Sequence, residues 1–299
     1  MALLEGGYQV AKIITMPSSP NFTSSEFSLF RTIGTTVSPF TGKQRNQEFD
    51  GVFWQGNFSL PPMRRSQAVQ WQSFLLNCKG PINNFHFADP DALVNMGTFN
   101  GTFLKGEQRI NNDDVTLSFS GSTVTANAST FGAARVGDFI HITGATNEEN
   151  NGTHKITTVT SNTVVVTDST LTTESNTASC KVKQNVKGAE ALSLRATTNV
   201  ATGTIKQGDY LGLLGSSTNN AVDPIQLVYV TEDATETNQS GDKNDFSVAI
   251  QPKLRTNFAG NFVRFANPKG LFRLAGNEVN WKADKISNYG ISFSVVEVI

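Results

Sequence analysis

Most of this chain reads as short apolar runs, some alternating with polar residues, and one stretch breaks to the helical period. Between Arg64 and Gly80 the residues Ala68, Trp71, Leu75 and Cys78 recur at spacings of three and four, with Gln67, Gln70, Ser73 and Asn77 elsewhere on the wheel. Phe74 widens that stripe. Pro61-Pro62 pre-set the backbone ahead of it, and Gly80 suits the left-handed position that ends a helix. A single amphipathic helix is expected, buried on one face and uncharged on the other. Burial of Trp71 and its neighbours contributes about 1.5 to 3 kcal/mol per large side chain.

Around that helix the pattern has a period of two, with a turn at Ser38-Pro39-Phe40-Thr41-Gly42, then Trp54, and after the helix Phe85-His86-Phe87. Trp54, Ala68, Trp71, Leu75, Phe85 and Phe87 are the candidate core of this block. Further along, Phe139-Ile140-His141-Ile142, Ile156-Thr157-Thr158-Val159 and Val164-Val165-Val166 read as strands, with turns at Asn150-Asn151-Gly152 and Ser161-Asn162.

The later strands carry a weak duplication, the alternative being a coincidental resemblance between two β-rich stretches. Gly137-Asp138-Phe139-Ile140 returns as Gly208-Asp209-Tyr210-Leu211, and at the same offset of 71 residues Ile156 meets Leu227 and Val159 meets Val230. The offset then grows to 83, where Leu171 meets Leu254 and Val182 meets Phe265, with the extra residues assigned to the polar stretch Thr231 to Asp245. The expected fold is mainly β. It consists of a β-sandwich or barrel domain with one flanking α-helix, plus two small inserted β-barrel-like modules. The expected boundaries are 1–108 for the helix-bearing domain, 109–184 and 185–269 for the two repeats, and 270–299 for a C-terminal return. In that return a strand from Ile291 to Val298 rejoins the first sheet.

Charge and chemistry narrow the functional classes. The 299 residues carry a net charge of −1 with 16% charged residues, so no broad basic footprint for nucleic acid exists. No run of apolar residues is long enough to span a bilayer, and the N-terminus lacks a secretory leader pattern, so no membrane insertion is expected. Cys78 and Cys180 lack metal-ligand spacing and read as buried thiols. His86, His141 and His154 fall on strand faces or edges, and no nucleophile elbow, zinc helix or phosphate loop is present. Asn111-Asn112-Asp113-Asp114 clusters oxygens without the other positions of a calcium loop. No catalytic residue, cofactor or metal site is assigned.

Arg64 and Arg65 stand out, because cations at the start of a helix oppose its dipole at a cost of about 0.3 to 1 kcal/mol each. Either they lie just outside the helix and are solvated, or they pair with carboxylates of a neighbouring subunit. The second reading makes them the candidate subunit-interface residues.

The ordered series Ser38-Pro39-Phe40-Thr41-Gly42, Trp54, Leu60-Pro61-Pro62-Met63, helix, Gly80 and Phe85-x-Phe87-x-Asp89-Pro90 resembles the N-terminal part of tailed-bacteriophage distal tail proteins. Val248 to Arg255, Asn267 to Leu274 and the closing run Tyr289 to Glu297 are similar to segments near the end of such proteins. The resemblance covers roughly residues 30–105 and 185–299 and rests on a pattern, with no single diagnostic motif. It implies a homo-oligomeric ring, usually hexameric, joining the tail tube protein to hub or baseplate proteins. It also implies residence in the virion after assembly in the host cytoplasm, and DNA only in transit through the lumen. Within that reading a large apolar interface is expected around the helix and the Phe40 to Trp54 segment. An alternative is a receptor- or glycan-binding tail protein whose β-modules touch the host surface, although only Trp281 lies beyond residue 71 to stack on a sugar. A hydrolase hidden in the β-scaffold is the third reading, which assays on cell-wall substrates separate from the others.

Overall fold

The computed structural model describes residues 11–92, 94–197, 203–215, 224–236, 244–284 and 288–299. The fold is mainly β with a single α-helix among the described residues, and it divides into two units, residues 1–93 with 269–299 and residues 94–268.

The first unit begins with a long antiparallel ribbon. Strands β1 (Ser24–Phe30) and β4 (Phe53–Ser59) form its inner half, and β2 (Ile33–Val37) with β3 (Gln44–Glu48) continue it outward to a turn. The Phe49 amide donates to the Thr32 carbonyl at 2.9 Å where the two halves meet. A short strand β5 (Met63–Arg64) leads into helix α1 (Arg65–Cys78), after which β6 (Asn84–Phe87) follows. The helix stops because Lys79 takes left-handed dihedrals and Gly80 follows with φ +64°, where an added Cβ would press on the Asn277 backbone. Ala68, Trp71, Phe74, Leu75 and Cys78 are buried, and the Trp71 indole donates to the Ser19 carbonyl at 3.0 Å.

The second unit contains a closed six-stranded barrel and, inserted within its sequence, a smaller barrel-like sheet. This inserted, inner barrel is built from β8 (Asn111–Ala126), β9 (Phe139–Thr143), β10 (Gly152–Ser161) and β11 (Val164–Lys183). Strands β8 and β11 run side by side along their length with repeated slips in register, and β11 also pairs with β9 and β10, which closes the sheet on itself. The outer barrel takes β7 (Phe103–Gly106) from before the inner one. Its other strands come after: β12 (Ala191–Ala196), β13 (Tyr210–Leu214), β14 (Pro224–Val230), β16 (Asp245–Gln251) and β17 (Phe262–Arg264), with β15 (Thr235–Glu236) attached to β16. The order β12-β7-β17-β13-β14-β16 closes through a β12–β16 pairing into six strands. Each barrel has its own apolar cluster, one around Phe119, Phe131 and Ile140, the other around Leu211, Phe246 and Phe258.

This arrangement corrects the expected boundaries. Residues 94–108 belong to the second unit, because β7 pairs with β12 and β17 and Phe99 packs in the outer barrel's core. The repeats are not two successive modules, since the inner barrel interrupts the outer one between its first two strands. The duplication itself is visible in geometry. In both copies the glycine has positive φ, at Gly137 and Gly208, and the aspartate accepts from the amide three residues back, Arg135 to Asp138 at 2.9 Å and Lys206 to Asp209 at 2.8 Å. The next strand, however, is displaced. Ile156 exchanges backbone bonds with the Gly137-Asp138 turn as Val230 does with Gly208-Asp209, so Val230 and not Leu227 is its counterpart. Likewise Val182 pairs with Ile142 where Val263, not Phe265, pairs with Leu213. Of the assigned insertion stretch, residues 237–243 lie outside the described residues.

The chain then returns to the first unit. Strand β18 (Gly270–Leu274) pairs with β6, β19 (Trp281–Ala283) pairs with the last strand, and β20 (Asn288–Glu297) slots between β4 and β18. The sheet order is β1-β4-β20-β18-β6, and the first part of β20 also pairs with β5. One face packs on α1, with Phe293 5.9 Å and Phe22 5.7 Å from Trp71 between ring centres, and with Trp54, Phe58, Phe85, Phe87 and Phe272 buried. The N-terminal and C-terminal parts of the polypeptide thus share one core.

Candidate functional site

The outer half of the ribbon has no core of its own. From Thr35 to Asp50 every residue except Ser38 is exposed, including Val37, Phe49 and, at 96%, Phe40 at the turn. Local bonds shape it: Ser38 and Lys43 are joined by their backbones at 2.9 Å, Gly42 has φ +66°, Thr35 donates to Asn46 at 3.0 Å, and Arg31 pairs with Glu48 at 2.5 Å. An isolated two-stranded ribbon is at best marginally stable in water, and exposed apolar side chains at its turn gain nothing without a covering surface.

The outward face of α1 is a second unusual surface. Val69 and Leu76 lie seven residues apart, hence on one stripe, and are 45% and 57% exposed. Ile82, just past the helix, is also exposed. Apart from Arg65, the exposed part of the helix is uncharged, as the core of a protein interface is. Arg64 is the N-cap residue and Arg65 the first helical one; both are exposed, and neither forms an ion pair among the described residues. Trp54, Ala68, Trp71, Leu75, Phe85 and Phe87 are all buried in the first unit.

No protein-family model matches the chain, and no curated protein matches it.

The sheet face opposite α1 carries a polar patch. Ser24, Glu26, Asn57, Ser59, Ser292 and Ser294 line a shallow concavity on it, where Asn57 donates to Glu26 at 3.1 Å and Ser294 donates to Asn57 at 2.6 Å. Glu26 is the one charged group of these six.

Titratable groups elsewhere do structural work. His141 and His154 are both held below the ordinary imidazole range, chiefly by burial, with His154 adding to the effect at His141. His154 Nε2 lies 3.1 Å from the Asn150 carbonyl, and His141 Nδ1 lies 3.0 Å from the Thr153 hydroxyl. Among the described residues no group of three or more His, Cys, Asp or Glu could hold a metal ion. Asp113 of the Asn-Asp cluster bonds Lys183 at 2.8 Å at the start of β8. Cys78 and Cys180 are free and buried, and burial pushes the Cys78 thiol up to about 12.

Two charged constellations escaped the sequence reading. In the first, Asp245 accepts from Arg135 at 2.7 Å and from Arg195 at 2.8 Å, Arg109 bonds both Asp138 and Asp245, and Arg195 reaches Glu107 at 3.2 Å. The Asp138 and Asp245 side chains have no exposed surface, so three cations and three carboxylates neutralise one another where the barrels join. Burial pushes the Asp138 carboxyl up against the pull of Arg109 and Ser247. The repeated Gly-Asp pair was the one signal in the sequence that pointed there.

In the second, Glu174 on β11 gathers the Thr146 amide at 2.7 Å, the Asn147 amide at 3.0 Å, the Asn150 side chain at 3.0 Å and the Thr177 hydroxyl. Desolvation raises this carboxyl, but the donors outweigh it and hold it at about 2, against an ordinary 4.5. A depressed folded-state value gives stability that is present above pH 4.5 and is lost as pH falls towards 2. Glu174→Gln should lower stability by about 1 to 3 kcal/mol at neutral pH, by leaving amide donors without their charged acceptor. It should also flatten the acid limb of the inner barrel's unfolding in that pH window, which circular dichroism melts across pH read directly.

Proposed function

We propose that this chain is a non-enzymatic structural protein that assembles into a ring in a phage tail, joining the tail tube to the hub or baseplate. The observation that supports it most is the outer half of the β1–β4 ribbon, a coreless and largely polar arm that exposes Val37 and Phe40 on a domain whose interior is otherwise complete. A closed ring needs heterologous contacts, with each subunit offering two unlike surfaces. The arm supplies one of them. The uncharged helix stripe beside Arg64 and Arg65 supplies further area, since a five-residue strand alone covers far less than the roughly 2,000 Å² of an obligate interface. On the sheet face opposite α1 the six polar residues of the concavity carry one charge, Glu26, and Arg273 lies on the same face on β18, so the face has no run of cations to hold a polyanion.

Reading the barrels as sugar binders has less support, because residues 94–268 contain no tryptophan. If the helix stripe is a subunit contact, Arg64→Glu with Arg65→Glu should abolish assembly, and Leu76→Asp should do the same, while the thermal midpoint stays unchanged. Sedimentation velocity separates the outcomes. Assembly equal to that of the parent protein in both variants removes the helix from the interface.

A further inference from the structure

The two lateral edges of the first unit's sheet are treated differently. At one edge β6 is covered by the chain itself, with Ile14 donating to the Asn84 carbonyl at 2.7 Å and Asn84 donating to that of Lys12 at 2.8 Å. At the other edge β1 pairs with β4 alone among the described residues. Seven residues, Ser-Ser-Glu-Phe-Ser-Leu-Phe, present this edge with no proline, lysine or bulge to blunt it. Undefended edges of this length template the pairing of another strand.

A strand that lacks a neighbour exists on the same unit. Strand β3 pairs with β2 alone among the described residues, and all five of its residues are exposed. It cannot reach its own chain's β1 edge, because β2 and β3 prolong the β1–β4 ribbon away from the sheet and folding back would break the Thr32–Phe49 junction. Charge agrees with a contact between copies. Within the ribbon Arg31 is taken by Glu48, while Arg45 on β3 forms no ion pair among the described residues. On β1 the one charge is Glu26, which is exposed, has an amide neighbour in Asn57, and has no cation beside it among the described residues.

We infer that β3 of one copy adds to the bare β1 edge of the next, with Arg45 opposite Glu26, so that the sheets of successive copies run into one another. The inference rests on the ring reading and names which surfaces meet in it. Each copy gives one strand and receives one, which is a head-to-tail contact able to close.

Oxidative cross-linking of the full-length chain tests it. Glu26→Cys and Arg45→Cys both fall on exposed residues, and the native Cys78 and Cys180 are buried and contribute little background. Mixing the two single variants should give a disulfide-linked heterodimer on a non-reducing gel, whereas each variant alone should remain monomeric on that gel. In a parallel series Glu26→Arg or Arg45→Glu alone should weaken association by about fivefold, and the two together should restore it. Homodimers of Glu26→Cys alone would mean edge-to-edge twofold pairing and would overturn the inference, as would absence of the heterodimer at concentrations where the parent protein assembles. If rings still form while the heterodimer is missing, this strand exchange falls and the ring reading stands. If the parent protein does not assemble and no link forms, both fall.

Discussion

Deleting residues 288–299 should unfold the first unit and leave residues 94–268 folded. Strand β20 is the centre of the sheet order, so its loss strips the ladder partners from β4 and β18 at once. It also removes the buried Ile291 and Val295, and Phe293 from beside Trp71. Three such side chains contribute about 5 to 9 kcal/mol between them, a sum comparable to the whole stability of a typical domain before any exposure of Phe58 or Phe272 is counted. Both barrels keep every strand. Limited proteolysis followed by mass spectrometry should show the region 11–92 degraded and a fragment close to 94–268 resistant. A first unit that stays protected would mean that β20 is an accessory strand and that the shared core of the two chain ends is not needed.

The second large effect is on assembly and not on folding. Replacing Ile33 to Glu48 by Asn-Gly leaves Thr32 and Phe49 as the closing pair of a two-residue hairpin, the geometry their existing 2.9 Å backbone bond already has. Since the removed segment buries no core, the thermal midpoint should change by no more than a surface substitution would, about 0.5 kcal/mol in stability. Assembly should be lost entirely, because the variant keeps the β1 edge but has no arm to donate. Calorimetry and sedimentation on the same sample check both halves. Loss of stability of several kcal/mol would instead assign the arm a role within its own subunit.

The helix was legible because several independent signals coincide within the twenty residues from Pro61 to Gly80: a 3.6-residue stripe, the prolines before it and the glycine after it. The return of the last strand was legible from its alternation and from the resemblance. The outer half of the ribbon was harder, because Gln44 to Glu48 is polar throughout and carries no period at all; a strand that buries no side chain leaves no apolar pattern. Strand β7 was misplaced for another reason. Its four residues look like any short apolar run, and the partners that decide its unit lie in β12 and β17, far along the chain. The nesting of one barrel within the other follows from those pairings and not from spacing, so the Gly-Asp repeat revealed the duplication without its topology. Even the match of Ile156 with Leu227 failed, because the connection before β14 is longer than that before β10 and every position after it moves. Of the network of Arg109, Arg135, Arg195 and the buried Asp138 and Asp245, only the Gly-Asp repeat left a trace in the sequence; its other members are ordinary turn and strand charges until folding brings them together.

Negative-stain imaging of the purified full-length protein tests the ring most directly. Closed annuli of uniform diameter with a central opening, absent from the variant lacking Ile33 to Glu48, are the predicted result. Twofold dimers, open filaments or monomers alone would contradict the proposal.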